Sequence, residues 1–296
     1  MSIIYKIIYF PFINRILRNV NYFFSPILPE KLKIHPSGKL KVKIDNASVI
    51  YLKTNQTSYV TRELFWKKSG NYEYTPIFTG LIKKTKCFFD VGSNIGYYSL
   101  LGAATNPDLT AHSFEPSPGV ITYLSENVKI NNFSKNIYVH PIALSDKTGS
   151  VNFHEVYNKK YPKISNLSGE HNMGTKPHLK TNKITVQTVT LDNFTTINDI
   201  QNIELIKIDT EGSEDLILKG AVETIKKFRP VIICETLFNK IENSLEDIMK
   251  SHNYLFFNFK EGRLIKVDTI QREQDNGVRN CFFVPEEKEF FVTEYL

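Results

Sequence analysis

Apolar residues in this chain come in short runs closed by polar or glycine-rich turns, and between the runs they recur at helical spacing. Cys87 to Val91 is such a run; the turn Gly92-Ser93-Asn94-Ile95-Gly96 follows, and Tyr97, Leu100, Leu101 and Ala104 then suit a helix. The unit repeats. Ala111 to Phe114 ends in Glu115-Pro116, and Val120, Tyr123, Leu124 and Val128 mark a helix running to Ile130. Ile137 to Ala143 reads as a third strand, closed by Leu144-Ser145-Asp146, and Ile203 to Ile208 and Val231 to Glu235 as later ones, separated by a helix over Glu214 to Phe228. Strands are also expected at Ser150 to Phe153 and Ile184 to Leu191, around a polar insert. Leu245 to His252 reads as a helix, and Tyr254 to Phe259 with Asn280 to Val284 as a final strand pair. Alternating strands and helices predict an α/β fold, a mostly parallel sheet with helices on both faces and one antiparallel edge. Upstream, Lys39 to Leu52 predicts one or two strands around an Asp45-Asn46 turn, and Tyr59 to Trp66 and Thr75 to Ile82 predict helices.

At 296 residues, with 41% hydrophobic and 23% charged positions, the chain can bury a sizeable core and is neither disordered nor fibrous. The net charge of +6, without an Arg-rich stripe, suits an anionic surface or substrate but not a nucleic-acid footprint. Cys87, Cys234 and Cys281 adjoin apolar runs and have no zinc or CxxC spacing; they read as buried small side chains in a reducing compartment, with the cytoplasm as default. In the first thirty residues, Lys6, Pro11, Arg15 and Arg18 interrupt an apolar stretch before it reaches spanning length. Ile13, Ile16, Leu17 and Val20 follow helical spacing there, with Arg15 and Arg18 on another face. Two expectations stay open, a helix in peripheral contact with a membrane or a helix docked on the domain or a partner subunit.

In open α/β sheets ligands sit beyond the carboxyl ends of the strands, so the residues there carry the candidate chemistry. Asp90 to Gly96 reads DxGxNxG rather than the G-x-G-x-x-G of a dinucleotide site. An acid ahead of the turn would repel phosphate but suits an ammonium or sulfonium group, and S-adenosylmethionine carries both. Glu115, at the end of the next strand and before Pro116, can accept hydrogen bonds from two ribose hydroxyls. Ser145-Asp146 could hold an adenine amine or simply form a turn. Lys207, Asp209 and Glu211 alternate as their strand runs out; they could hold an acceptor hydroxyl, take its proton or ligate a cation, and Asp209 could contact the cofactor's amino-acid end, or Thr210 or Ser213 could cap a helix with the acids near its positive end.

Several ordered segments resemble the FkbM family of S-adenosylmethionine-dependent methyltransferases: FFDVGSNIGYYSL from Phe88, SFEPSP from Ser113, ALSDKTG from Ala143, VQTVTLDNF from Val186, LIKIDTEGSEDLILKGA from Leu205 and RPVIICE from Arg229. The likeness covers about Phe88 to Phe259. It implies a class I methyltransferase fold, Rossmann-like, with seven strands, the last antiparallel, and O-methylation of a sugar, glycan or natural-product hydroxyl. It also implies a methionine-side cradle from Asp90, Gly92, Ser93, Asn94 and Gly96, a ribose site at Glu115-Pro116 and an adenine border at Ser145 and Asp146. Lys207, Asp209, Glu211 and Glu235 would line the acceptor side, with Asp209 or Glu211 as base and His154 as a weaker candidate. Where the family commonly has alanine this chain has Ser93, and where it often has valine this chain has Thr210.

The expected organisation is an apolar, basic helical segment over 1–35, an extension over 36–85 and a methyltransferase domain over 86–296. The insert from Tyr157 to Lys183, rich in lysine, is expected to be a substrate lid that meets an acidic glycan or a phosphorylated carrier. Metal need and oligomeric state are not legible. Two competing readings are a non-catalytic domain of this type acting as a membrane-associated assembly partner, and a nucleotide-dependent dehydrogenase, which the absence of G-x-G-x-x-G disfavours.

Overall fold

The computed structural model describes residues 3–45 and 48–296; Met1 and Ser2 of the apolar segment and Asn46 of the expected turn lie outside them. The described strands are β1 (Gly38–Lys43), β2 (Val49–Thr54), β3 (Cys87–Val91), β4 (Thr110–Phe114), β5 (Ile137–His140), β6 (Ala143–Leu144), β7 (Gly149–Val156), β8 (Thr181–Val189), β9 (Leu205–Ile208), β10 (Val231–Glu235), β11 (Tyr254–Lys260), β12 (Arg263–Val267) and β13 (Asn280–Pro285). The helices are α1 (Ile3–Ile8), α2 (Pro11–Phe23), α3 (Tyr59–Lys67), α4 (Thr75–Ile82), α5 (Tyr97–Thr105), α6 (Pro118–Ile130), α7 (Leu191–Ile197), α8 (Glu214–Lys219), α9 (Val222–Phe228) and α10 (Glu242–Ser251).

The main sheet runs β12-β11-β13-β10-β9-β3-β4-β5. β5, β4, β3, β9 and β10 are mutually parallel, and β13 enters antiparallel between β10 and β11. This is the expected class I arrangement with one further strand. β12 hairpins onto β11, and of its side chains only Leu264 is fully buried, so its sequence carries little strand pattern. The chain leaves β3 toward β4 on one side and later returns to place β9 on the other, so strand order reverses at β3.

Alternation along the strands divides the core in two. Phe88, Leu205, Ile233 and Phe282 face a layer built from α3 to α6 and the β1-β2 hairpin. Phe89, Ile206, Ile232 and Phe283 face α7 to α10. Pro141 separates β5 from β6, which leaves the main sheet and joins β7 and β8 in a small sheet beneath the insert. The helix expected over Glu214 to Phe228 is broken into α8 and α9 at Gly220, where a β-carbon would stand 2.2 Å from the Ser145 carbonyl.

The extension docks on the same core: Leu40, Val42, Ile50 and Leu52 belong to the first cluster, and Asn127 of α6 and Asn131 at its C-cap exchange hydrogen bonds with the backbone of β2. α2 packs the other way round from a soluble amphipathic helix. Asn14, Arg18 and Asn21, spaced i, i+4 and i+7, face inward and bond the backbone from Leu32 to Lys39. Arg18 therefore lies on the docked face rather than the solvent face. Among the described residues no helix is long and apolar enough to cross a membrane.

Candidate functional site

A cavity opens at the carboxyl ends of β3, β4, β9 and β10, where strand order reverses. The β3 loop forms its floor. Gly92 and Ser93 both donate backbone N–H groups to the Phe114 carbonyl at 3.0 Å, which ties the loop to the end of β4. Gly92 has φ +72°, and a β-carbon there would stand 1.9 Å from the Asp209 carbonyl, so the close approach of the two loops requires glycine. Asn94 also has a left-handed backbone, and its buried Oδ1 has no hydrogen-bond partner among the described residues. Gly96, at φ +87°, opens α5.

Asp90 is fully buried beneath this loop. Ser99 Oγ donates to its Oδ2 at 2.6 Å, while Oδ1 lacks a hydrogen bond and faces Lys207 Nζ at 3.6 Å. Asp90 and Lys207 are register partners across β3 and β9, which explains why residues so far apart in sequence form an ion pair. Lys207 Nζ also reaches Asp209 Oδ2 at 3.3 Å, two residues along the same face. These carboxylates and Glu73 raise the lysine's pKa against the opposing effect of burial. Burial raises the Asp90 pKa.

Glu115 is held by its own neighbourhood. Its Oε2 accepts from the Asn94 backbone N–H at 3.1 Å and its Oε1 from Ser117 N–H at 3.0 Å. Each oxygen keeps a lone pair for a further donor. Burial pushes this carboxyl up to about 7.

The opposite wall is acidic. Glu214, fully buried, accepts the backbone N–H groups of Thr210 and Gly212 and the Thr210 hydroxyl, so Glu214 organises the loop. Ser213 occupies the N-cap position without a side-chain cap. Glu211, at φ +62°, forms an ion pair with Lys176, and burial together with Asp209 pushes it up to about 7. Glu235 is raised well above the usual range by burial, then by Asp209 and Glu211, and its Oε2 has no hydrogen-bond partner. Among the described residues no group of three or more His, Cys, Asp or Glu side chains is arranged to hold a metal ion.

The cavity brings together Gly92, Ser93, Asn94, Glu115, Pro116, Lys207, Asp209, Glu211 and Glu235. Asp90 lies directly beneath it, and Gly96 closes its loop. Two sequence candidates sit elsewhere. Ser145 and Asp146 bond each other at 3.2 Å beside β8 and are not in the wall, which at this place is Ile142, Ala143 and Leu144. The reason is the Pro141 break, which moves the strand end forward and makes Ser145-Asp146 a turn. His154 is outside the wall as well: its Nδ1 contacts Thr181 Oγ1 at 3.1 Å and its backbone pairs with Asn172.

Residues of the extension and of the insert cover the cavity; the sequence points to the insert but not to the extension. The extension supplies Tyr59, Tyr72 and Glu73, and Glu73 accepts from Tyr98 Oη at 2.8 Å. Desolvation and Asp209 raise the Glu73 pKa. The insert supplies Ser168, Gly169, His171 and Met173. His171 accepts the Val156 N–H at Nδ1 and donates from Nε2 to the Asn166 carbonyl, so both ring nitrogens are committed to the insert's backbone. Lys176, expected to be available for an acidic acceptor, is bound to Glu211, and Thr175 Oγ1 donates to the Glu211 carbonyl.

The chain is similar to several known proteins. The methyltransferase FkbM domain matches residues 90–256. The 2-O-methyltransferase NoeI of Sinorhizobium fredii is 27% identical over 156 residues, 50% of this chain and 63% of its own length. The hexuronic acid methyltransferase AglP of Haloferax volcanii is 26% identical over 145 residues, 49% and 54% of the two chains. The 31-O-demethyl-FK506 methyltransferase FkbM of Streptomyces tacrolimicus is 25% identical, covering 57% and 58%. The chain thus spans 63% and 54% of the first two relatives' length. Among solved structures, methyltransferase FkbM from Methylobacillus flagellatus superposes over 75% of this chain and 52% of its own, at 14% identity and a TM-score of 0.44.

Proposed function

The chain belongs to the FkbM methyltransferase family, and on that premise we propose that it transfers a methyl group from S-adenosylmethionine to a hydroxyl, with a sugar or natural product as acceptor. The observation that carries the proposal is one cavity joining the β3 loop, Glu115 and Asp209 at the reversal of strand order. The donor set fits that cofactor. Glu115 offers two pinned oxygens to a ribose, and the unpartnered Asn94 Oδ1 supplies an acceptor for an ammonium group. Ile142, Ala143 and Leu144 make an apolar border of the kind a purine face occupies.

S-adenosylmethionine, when bound, supplies a methyl carbon that its sulfonium makes electrophilic. The protein's task is then to align the hydroxyl and exclude water, for which the extension and the insert form the cover. Lys207 fixes Asp209 through Oδ2, and Oδ1 remains to accept the hydroxyl proton as the new carbon–oxygen bond forms. Glu211, raised toward neutrality and tied to Lys176, is the second candidate for that proton. Glu235, raised above the usual carboxyl range by burial and by Asp209 and Glu211, lines the acceptor side, where its unpartnered Oε2 can meet a polar group of the acceptor. The insert acts as a lid. Acids outnumber cations on these walls, so neutral and amino sugars come first as acceptors, and acidic glycans after them.

The test is transfer of labelled methyl from S-adenosylmethionine to a panel of such sugars. In the Asp209→Asn, Glu211→Gln double variant, turnover should fall by roughly a hundredfold or more, with S-adenosylhomocysteine affinity nearly intact. Full turnover in that variant removes the assignment of the base.

A further inference from the structure

We infer that the α1-α2 layer is a docking surface for an anionic lipid bilayer, lying in its interface without crossing it. The first observation is the reversed orientation of α2. Its polar stripe, Asn14, Arg18 and Asn21, is turned into the protein and bonds backbone groups there. Its apolar stripe points out: Phe12 is 67% exposed, Ile16 51%, Val20 55% and Phe23 79%. The spacing of these four, i, i+4, i+8 and i+11, makes one continuous face opposite Asn14 and Arg18. Ile3, Ile7, Phe10 and Ile27 extend the exposed apolar surface beyond α2. A helix bound in water normally turns such a face to the core, and an outward one marks a contact with another apolar phase.

The second observation is charge. Residues 1–43 hold eight Lys and Arg against one acid, Glu30, whereas the whole chain nets +6; the remaining 253 residues are therefore slightly acidic. This basicity sits beside the apolar stripe. A groove between α2 and β1 is lined by Phe12, Arg15, Lys39, Lys41, Lys43 and Lys68, with Asp45 the acid among them, and stays basic on balance. An apolar helix face with aromatic side chains, flanked by cations, complements a bilayer whose headgroups are anionic. A second copy of the chain would suit it poorly, because a two-fold contact sets the same basic groove against itself.

The layer also touches both covers of the cavity. Tyr161 of the insert packs edge-on against Tyr5 and Tyr9, and Tyr22 stacks on Trp66 of α3. Docking and the cavity's cover are thus mechanically joined.

The experiment is cosedimentation of the full chain with vesicles of phosphatidylcholine alone and of phosphatidylcholine mixed with phosphatidylglycerol, at low and high salt. Binding is expected to the mixed vesicles, weaker at high salt, and lowered by about tenfold or more in Phe12→Ser, Ile16→Ser, Phe23→Ser. Those side chains are exposed, so the variant's unfolding midpoint should match the wild type. Lys39→Glu, Lys41→Glu, on the outward side of β1, is the second variant and should lose the preference for anionic lipid. A wild type that stays in the supernatant overturns the inference. So does equal binding to neutral vesicles, and so does a lipid-free dimer that the triple serine variant turns into monomer.

Discussion

The cavity and the α1-α2 layer break the ordinary inside-outside rule in opposite directions. At the cavity, charge is buried: Asp90, Glu115 and Lys207 are each less than 10% exposed. At the layer, apolar side chains are exposed while Asn14 and Arg18 are buried. In neither place does the arrangement raise the stability of the free chain. Buried charges are retained only with partners, and exposed phenylalanines gain nothing from water. The difference lies in what compensates. The cavity's charges are satisfied within the protein, by register pairing and backbone N–H groups, apart from the few atoms left for a ligand. The layer's apolar face has no partner among the described residues. One region is built around a small polar ligand, the other against an extended apolar phase.

The strongest challenge to this contrast is Gly92→Ala. Its β-carbon would meet a backbone carbonyl at 1.9 Å that no rotamer change can move, so thermal or urea unfolding should show a loss of about 4 kcal/mol or more. Gly70→Ala, with nothing within 4 Å, is the matched control and should be near neutral. A Gly92→Ala protein as stable as that control would mean that the two loops are not held together. Next comes Lys207→Met, which leaves Asp90 and Asp209 on one face without their shared cation. Removing one member of a buried ion pair costs about 3 kcal/mol, read again by unfolding. The loss should be smaller at acid pH, because burial already raises the Asp90 carboxyl and favours its protonated form. An undiminished midpoint would show that the network is not satisfied internally.

Much of the cavity's floor was legible in the sequence, because its residues end strands whose apolar runs are short and whose turns carry glycine. Asp90, Glu115 and Asp209 could be placed together from strand order alone. Other contributions could not. Glu73 and Tyr72 reach the cavity from the extension, and nothing in their local spacing signals it. Ile142, Ala143 and Leu144 line the cavity in place of Ser145-Asp146 because the strand breaks at Pro141, a signal that a single strand over Ile137 to Ala143 overrides. Helical periodicity in Ile13, Ile16, Leu17 and Val20 announced an amphipathic helix but not its facing. That facing depends on the side-chain bonds of Asn14 and Arg18 to a backbone segment some twenty residues away. β12 escaped notice because a strand at a sheet edge with one buried side chain has no alternation to show.

The central claim is that Glu115 anchors a ribose-bearing cofactor, and calorimetric titration with S-adenosylhomocysteine tests it most directly. Burial raises this carboxyl to about 7, so folding favours its protonated form and its contribution to stability falls as pH climbs from the ordinary carboxyl range toward 7. A ribose that donates to it needs the ionised form, so affinity should move the other way and tighten by about tenfold between roughly pH 6 and pH 8. Glu115→Ala should bind about tenfold or more weakly at the higher pH and lose most of that pH dependence. Wild-type protein that binds no S-adenosylhomocysteine, or a Glu115→Ala variant that binds it equally well with the same pH profile, would contradict the account.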